Sequence, residues 1–195
     1  MSNNHKYHHG DLRNALIEEG IKMINARGEE GLSLRKLAEK CGVSMAAPYA
    51  HFKSKEELIN AIKEYVTESF SDYLEKAVSA VQEDDVEKKI ITLGNAYVRF
   101  FIKNPEYFTF LFSRGYIHLS LDFNTSAAGN FKPFNILKDL CTVYFEQKKP
   151  GLSDYEKELE IIRIWASVQG LTSIVFMENV KWSRRWEDEI INLLK

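Results

Sequence analysis

Cysteine, proline and glycine are all scarce in this chain of 195 residues. The two cysteines, Cys41 and Cys141, stand far apart without CxxC spacing, so they read as reduced thiols of a cytosolic protein. Four prolines and ten glycines, beside 45% apolar residues, exclude a disordered or fibrous chain. No apolar run approaches the roughly 18 residues needed to span a bilayer. The opening stretch MSNNHKYHHGDLR is polar, so no secretory signal is expected. Internal repeats and low-complexity tracts are absent, and strand-like alternation is confined to IHLSLDF, which reads as loop. Catalytic signatures are missing too. There is no Gly-rich phosphate loop, no Ser/His/Asp or Cys/His pairing that spacing supports, and no paired carboxylates in a candidate pocket. Neither an enzyme nor a cofactor is expected. His5, His8 and His9 lack a carboxylate or cysteine at ligand spacing, so no metal site is expected.

What remains is helical. Asp11 can cap a first helix that runs through Leu12, Leu16, Met23 and Ile24 and stops at Arg27-Gly28. Ser33 can cap a short second helix, LRKLAEK, with Leu34, Leu37 and Ala38 on one face. Gly42 ends it, and Ser44 can cap a third short helix reaching Phe52. Ser54 to Glu57 reads as a capping box that opens a long fourth helix to about residue 82. A fifth carries Ile90, Leu93, Tyr97, Phe100 and Phe101, and Asn104-Pro105 restarts the chain as PEYFTFLFS. Residues 115–131 form the loop candidate. Helices then follow over 133–147, from Ser153 or Asp154 to about 180, and after Ser183. The expected fold is all-α: an N-terminal three-helix head, a long fourth helix and a helical-bundle body, about nine helices in all.

The net charge of −2 hides an asymmetry. Residues 1–55 carry nine Lys/Arg against six acids, whereas the remainder is acidic, so only the head is suited to a polyanion. Within that head, residues 33–52 have the pattern of a helix-turn-helix. Leu34, Leu37, Val43 and Phe52 can bury against the first helix, which turns Ser44, Met45, Ala46, Ala47 and Tyr49 outward. Small outward side chains let a helix backbone descend into the major groove. Tyr49, His51, Lys53 and Lys55 suit phosphate oxygens, as do the free N–H groups after Ser54. Ser33 and Arg35, at the start of the second helix, complete the DNA-binding candidates. Pro48 has no N–H to give, so the opening turn of the third helix is expected to be irregular.

The stretch GLSLRKLAEKCGVSMAAPYAHFKSKEELINAI resembles the DNA-binding domain of the TetR/AcrR family of bacterial transcriptional regulators, over roughly residues 9–65. Tyr7 to Arg13 resembles the start of one subgroup. Trp165 and Gly170 resemble that subgroup's Trp-His-Gly module, with Gln169 in the middle place. Gly20 departs from the alanine usual in helix one. The resemblance implies a cytoplasmic homodimer, most simply a repressor, whose two heads read a pseudo-palindromic operator in double-stranded DNA. The body, 66–195, would hold a small-molecule effector and the dimer interface, with no role at a membrane. Two other readings stay open: an enzyme in the aromatic body, and an interaction module that has lost DNA binding.

Aromatic side chains crowd the body. Most must be core, but Tyr97, Phe101, Phe108, Phe112, Phe123, Phe134, Tyr144 and Trp165, with Gln169, are candidates to line an apolar cavity for a hydrophobic or aromatic effector. An apolar stripe through Trp165, Val168, Thr172, Val175 and Phe176, continued by Ile190, Ile191 and Leu194, is the candidate dimer seam.

Overall fold

In the computed structural model, residues 9–82, 85–113, 115–124 and 129–194 are described, with side chains from Leu12 onward. His5, His8 and Tyr7 of the candidate arm lie outside them, as do the side chain of His9 and part of the 115–131 loop. Every regular element among the described residues is helical. The α-helices are α1 (His9–Gly31), α2 (Leu34–Lys40), α3 (Lys55–Ser79), α4 (Val86–Lys103), α5 (Pro105–Ser113), α6 (Lys132–Lys148), α7 (Asp154–Val175) and α8 (Trp186–Leu193). A 3₁₀ helix, Ala47–Ala50, lies between α2 and α3.

The chain divides into two units, residues 1–66 with 106–116, and 67–105 with 117–195. The division sets 106–116, read from sequence as part of the body, in the first unit.

In the first unit, α1 presents Leu16, Ile17, Ile21 and Ile24, each wholly buried, at helical spacing. They share a core with Leu37, Ala38, Leu58 and Ile62, also at 0% exposure. α1 begins at His9, which places Asp11 inside the helix rather than at its cap. Its regular course breaks at Gly28, whose φ of 71° is a conformation that a Cβ disfavours. The Ser33 side chain accepts from the Lys36 N–H at 3.2 Å and starts α2. At the head of α3 the Glu57 N–H donates to Ser54 Oγ at 3.1 Å, while the Glu57 carboxylate accepts from the Lys53 N–H at 2.7 Å. The expected capping box therefore reaches one residue further back than its simplest form.

In the second unit, α4 packs against α6, α7 and α8, and α6 against α7. The Phe70 ring lies 4.5 Å from Phe101, 4.8 Å from Phe100 and 5.1 Å from Tyr97, centroid to centroid. Asp85 caps α4 by accepting from the Lys88 N–H at 3.2 Å. Ser153 and Glu156 form a reciprocal capping box on α7. α7 stops at Val175 instead of running to about 180. The N–H groups of Phe176 and Met177 donate three residues back, to Ser173 and Ile174, which tightens the chain out of α-helical register. α8 starts at Trp186 behind Arg185, with no side-chain cap, so Ser183 does not serve as one.

Candidate nucleic-acid interface and ligand cavity

The segment after α2 turns at Gly42, whose φ of 67° is available to glycine at little cost. The Ala47 N–H donates to the Ser44 carbonyl at 3.0 Å, Tyr49 to Ala46 at 3.1 Å and His51 to Pro48 at 3.0 Å. Each bond spans three residues or fewer. The expected short α-helix is therefore a 3₁₀ helix over Ala47–Ala50, not an α-helix with one irregular turn. Pro48 explains this: it cannot donate to Ser44 four residues back, and Ala47 takes that carbonyl instead. The Pro48 ring is buried, and the Phe52 N–H closes the segment on the Pro48 carbonyl at 2.9 Å.

Two contacts hold this segment to α1. The Arg13 guanidinium lies 5.4 Å from the centre of the Phe52 ring, which is 1% exposed. The Cys41 thiol points to the Ala15 carbonyl at 3.9 Å, and its pKa is raised first by burial and then by the Glu19 carboxylate.

Ser44, Met45, Ala46 and Tyr49 are exposed, Met45 by 49% and Tyr49 by 56%. An apolar and an aromatic side chain this open, on a segment whose inner face is fully packed, have no structural task within the unit. Ala47, His51 and Lys55 are half-buried, whereas Arg35 and Lys53 are exposed. Ser33 is half-buried, its oxygen occupied by the cap of α2. Lys36 stands exposed beside Arg35, although the sequence reading did not single it out. Arg35, Lys36, Lys53 and Lys55 have no ion-pair partner among the described residues, which leaves four cations for an external anion.

The aromatic candidates separate. Tyr97, Phe101, Phe134, Trp165 and Gln169 come together in the second unit. Trp165 meets Tyr97 edge-on at 5.4 Å and Phe134 at 5.3 Å, and Tyr97 lies 5.2 Å from Phe101. The Tyr97 hydroxyl donates to Gln169 Oε1, and burial pushes that phenol well above its ordinary pKa. Tyr97 and Trp165 bound a cavity with Leu74, Leu93, Leu137 and Ile164, whose free volume is about 10 Å³, near that of one water. Phe123 and Tyr144 stand elsewhere, each under a lysine: Lys157 Nζ is 4.7 Å from the Phe123 ring and Lys149 Nζ 5.7 Å from Tyr144. Phe108 and Phe112 pair with one another at 5.0 Å in the first unit. The aliphatic lining escaped sequence reading because leucine and isoleucine carry no chemical signal. Their spacing did carry one: 90, 93, 94 and 97 share a helix face.

Of the seam candidates, Val168 (5%), Thr172 (0%) and Ile190 (0%) are buried within the unit itself. Trp165, Val175, Phe176 and Leu194 are half-buried. Ile191 is 41% exposed and is joined by Ile174, Met177 and Leu193, which the sequence reading did not select. No helix among the described residues is long and apolar enough to cross a membrane.

Residues 16–62 match the model of the bacterial regulatory proteins of the tetR family. The tetracycline repressor protein class C of Escherichia coli is 44% identical over 52 residues, 27% of this chain and 24% of the repressor. The matched stretch thus spans about a quarter of that relative's length. Among solved structures, the TetR family regulator PfmR from Thermus thermophilus superposes with a TM-score of 0.62 at 21% identity, over 92% of this chain and 98% of that one. AibR, solved with isovaleryl coenzyme A and operator DNA, gives 0.63 at 15% identity, over 92% and 94%. These two likenesses concern the fold.

Proposed function

We propose that the chain, whose residues 16–62 match the bacterial regulatory proteins of the tetR family, is a ligand-responsive transcriptional repressor. Residues 9–65 bind a pseudo-palindromic operator, and residues 66–195 take up an effector and join two copies. It acts in the cytoplasm and catalyses no reaction. The observation that carries this reading is the open face of the 3₁₀ segment, where Met45 and Tyr49 are half exposed beside small side chains and unpaired cations. Ser44, Met45, Ala46 and Ala47 meet base edges. Tyr49, His51, Lys53 and Lys55, with Ser33 and Arg35, hold phosphates.

The effector is hydrophobic or aromatic, because the Tyr97–Trp165 cavity offers apolar walls. Its small free volume describes a closed cavity, which a ligand must open. A neighbour in fold that binds both a small molecule and operator DNA is consistent with the pairing of these two sites.

Binding of the purified protein to its own upstream DNA across a salt series tests the reading. A palindromic footprint is expected, with log affinity falling against log salt at a slope of about −0.9 per phosphate contacted. A folded protein that binds no fragment sequence-specifically overturns it. Tyr49→Phe is expected to weaken binding alike on all sequences, whereas Ala46→Leu disturbs operator discrimination.

A further inference from the structure

The cavity beside Trp165 shares Ile90, Gly94, Ile164 and Val168 with a second hollow, a groove of about 270 Å³. The groove's remaining walls include Leu193 and Leu194, at the end of α8. The two spaces meet at Gly94 of α4. A Cβ added there would lie 3.1 Å from Leu194 Cδ1 and 3.1 Å from Val168 Cγ1, so both side chains close directly on bare backbone. A larger residue there would have to push one of these side chains aside by a few tenths of an ångström, and with glycine in place the two close the space between groove and cavity.

α8 is held unevenly. Near its start the Arg99 guanidinium donates to the Glu187 carbonyl at 2.5 Å and to Asn95 Oδ1 at 3.0 Å, which fixes the helix to α4. Ile190 in its middle is wholly buried. One turn later Leu193 is 51% exposed, and Leu194 is the side chain that reaches Gly94. Asn192 in the same turn donates to Glu189 Oε2 at 3.0 Å, a bond within α8, so Leu194 is a contact by which this turn closes on α4.

The lining also limits what can pass. Among the described residues, no lysine, arginine, histidine, aspartate or glutamate borders either hollow. The two hydroxyls that do are already engaged: Tyr97 donates to Gln169, and Ser167 donates to the Arg163 carbonyl at 2.8 Å. A charged group brought here would lose its water without finding a counter-ion, a cost of several kcal/mol. The narrow junction at Gly94 favours a thin, flexible molecule over a broad ring system.

We propose that the last turn of α8 is the gate of this cavity, and that its ligand is an uncharged, unbranched alkyl chain that enters from the groove and displaces Leu194. The proposal rests on the reading of the cavity as the effector site. It gives that site a route to the assembly, because displacing Leu194 moves the helix end that carries Ile191 on the outer face.

The test uses the full chain with 1-octanol and octanoate as probes, affinity measured by calorimetry and rates by stopped-flow tryptophan fluorescence. Octanol is expected to bind, and octanoate at pH 7 at least about tenfold more weakly. Leu194→Ala is expected to raise association and dissociation rates together by about tenfold, since truncating a packed leucine shifts an opening equilibrium by at least that much. Tyr155→Ala, at a side chain of α7 that is 67% exposed and borders neither hollow, leaves both rates unchanged. Should Leu194→Ala not fold, Leu194→Val follows in the same direction. Octanol that fails to bind the natural chain overturns both the gate and the cavity as effector site. Octanol that binds with rates indifferent to Leu194 overturns the gate and leaves the cavity standing. Octanoate binding as well as octanol overturns the ligand class.

Discussion

Tyr107 donates its phenol to Glu18 Oε1 over 2.5 Å, and Tyr65 donates to the same oxygen over 2.9 Å. One carboxylate of α1 thereby ties α5 and α3 together, with the two rings edge-on at 6.3 Å. Tyr107→Phe removes one donor to a charged acceptor and is expected to cost about 1–2 kcal/mol in urea unfolding. The Tyr107 phenol is held well above its ordinary pKa of 10.0, first by burial and then by its bond to Glu18. The folded chain thus keeps a proton that the unfolded chain releases. Stability is full below pH 10 and falls as the pH climbs above it. Unfolding followed from pH 8 to 11 is expected to show a shallower decline in Tyr107→Phe. A remnant of the decline persists, because Tyr65 and Tyr97 are shifted upward too.

Gly20 and Gly31 separate two kinds of tight contact. A Cβ at Gly20 would lie 2.8 Å from Ile62 Cδ1, the free end of a side chain that can swing aside. Alanine also brings a helix-propensity gain of about 1 kcal/mol. The two effects oppose, and Gly20→Ala is expected to change stability by less than about 1 kcal/mol. At Gly31 the same atom would lie 2.4 Å from Arg27 Cβ, which moves only with its backbone. Gly31→Ala is expected to destabilise by about 1–3 kcal/mol. Thermal unfolding of the pair checks the order; equal losses would contradict it.

The head was legible in the sequence because its signals are local. Ser33, Gly28, Gly42 and the Ser54–Glu57 pair act within a few residues of themselves, and Leu34, Leu37 and Phe52 are buried as their spacing implies. Pro48 marked its segment as irregular, but only the observed bonding shows that the turns through Ala47, Tyr49 and His51 all close on three residues. The body was harder to read, for a physical reason. Helical period says which residues share a face, not which face meets which. Phe108 and Phe112 have the same composition signal as Tyr97 and Phe134, yet they fall in a different unit. Val168 and Thr172 lie on the stripe read as a seam, and the unit's own packing already covers them.

The two thiols are expected to differ sharply in reactivity. Cys141 is wholly buried on the inner face of α6, and burial, aided by the Glu160 carboxylate, pushes its pKa up to about 12. Almost no thiolate is available at pH 8, and no reagent reaches it. Cys41 is half-buried, and burial raises its pKa as well. Titration with a chromogenic disulfide at pH 8 should register Cys41 slowly and Cys141 only as the chain unfolds. Prompt modification of both thiols in the folded chain would contradict this packing of α6.

Ile174, Met177, Ile191 and Leu193 are 40%, 53%, 41% and 51% exposed, and they are apolar groups of α7, the turn after it and α8 that the unit leaves to water. A seam between two copies must be made of such residues, since Val168, Thr172 and Ile190 are already enclosed. The double substitution Ile174→Glu, Ile191→Glu places a carboxylate at each of two outer positions. Its cost falls on association, because an exposed glutamate is hydrated in the single chain but stripped of water at an interface. Analytical ultracentrifugation is expected to give a monomer with an unchanged far-ultraviolet circular dichroism spectrum, while the natural chain sediments as a dimer. Thr172→Glu, which buries the same charge inside the unit, is expected to lose helical signal instead. If the double variant remained dimeric, the seam would have to lie on a different face from that formed by these four side chains.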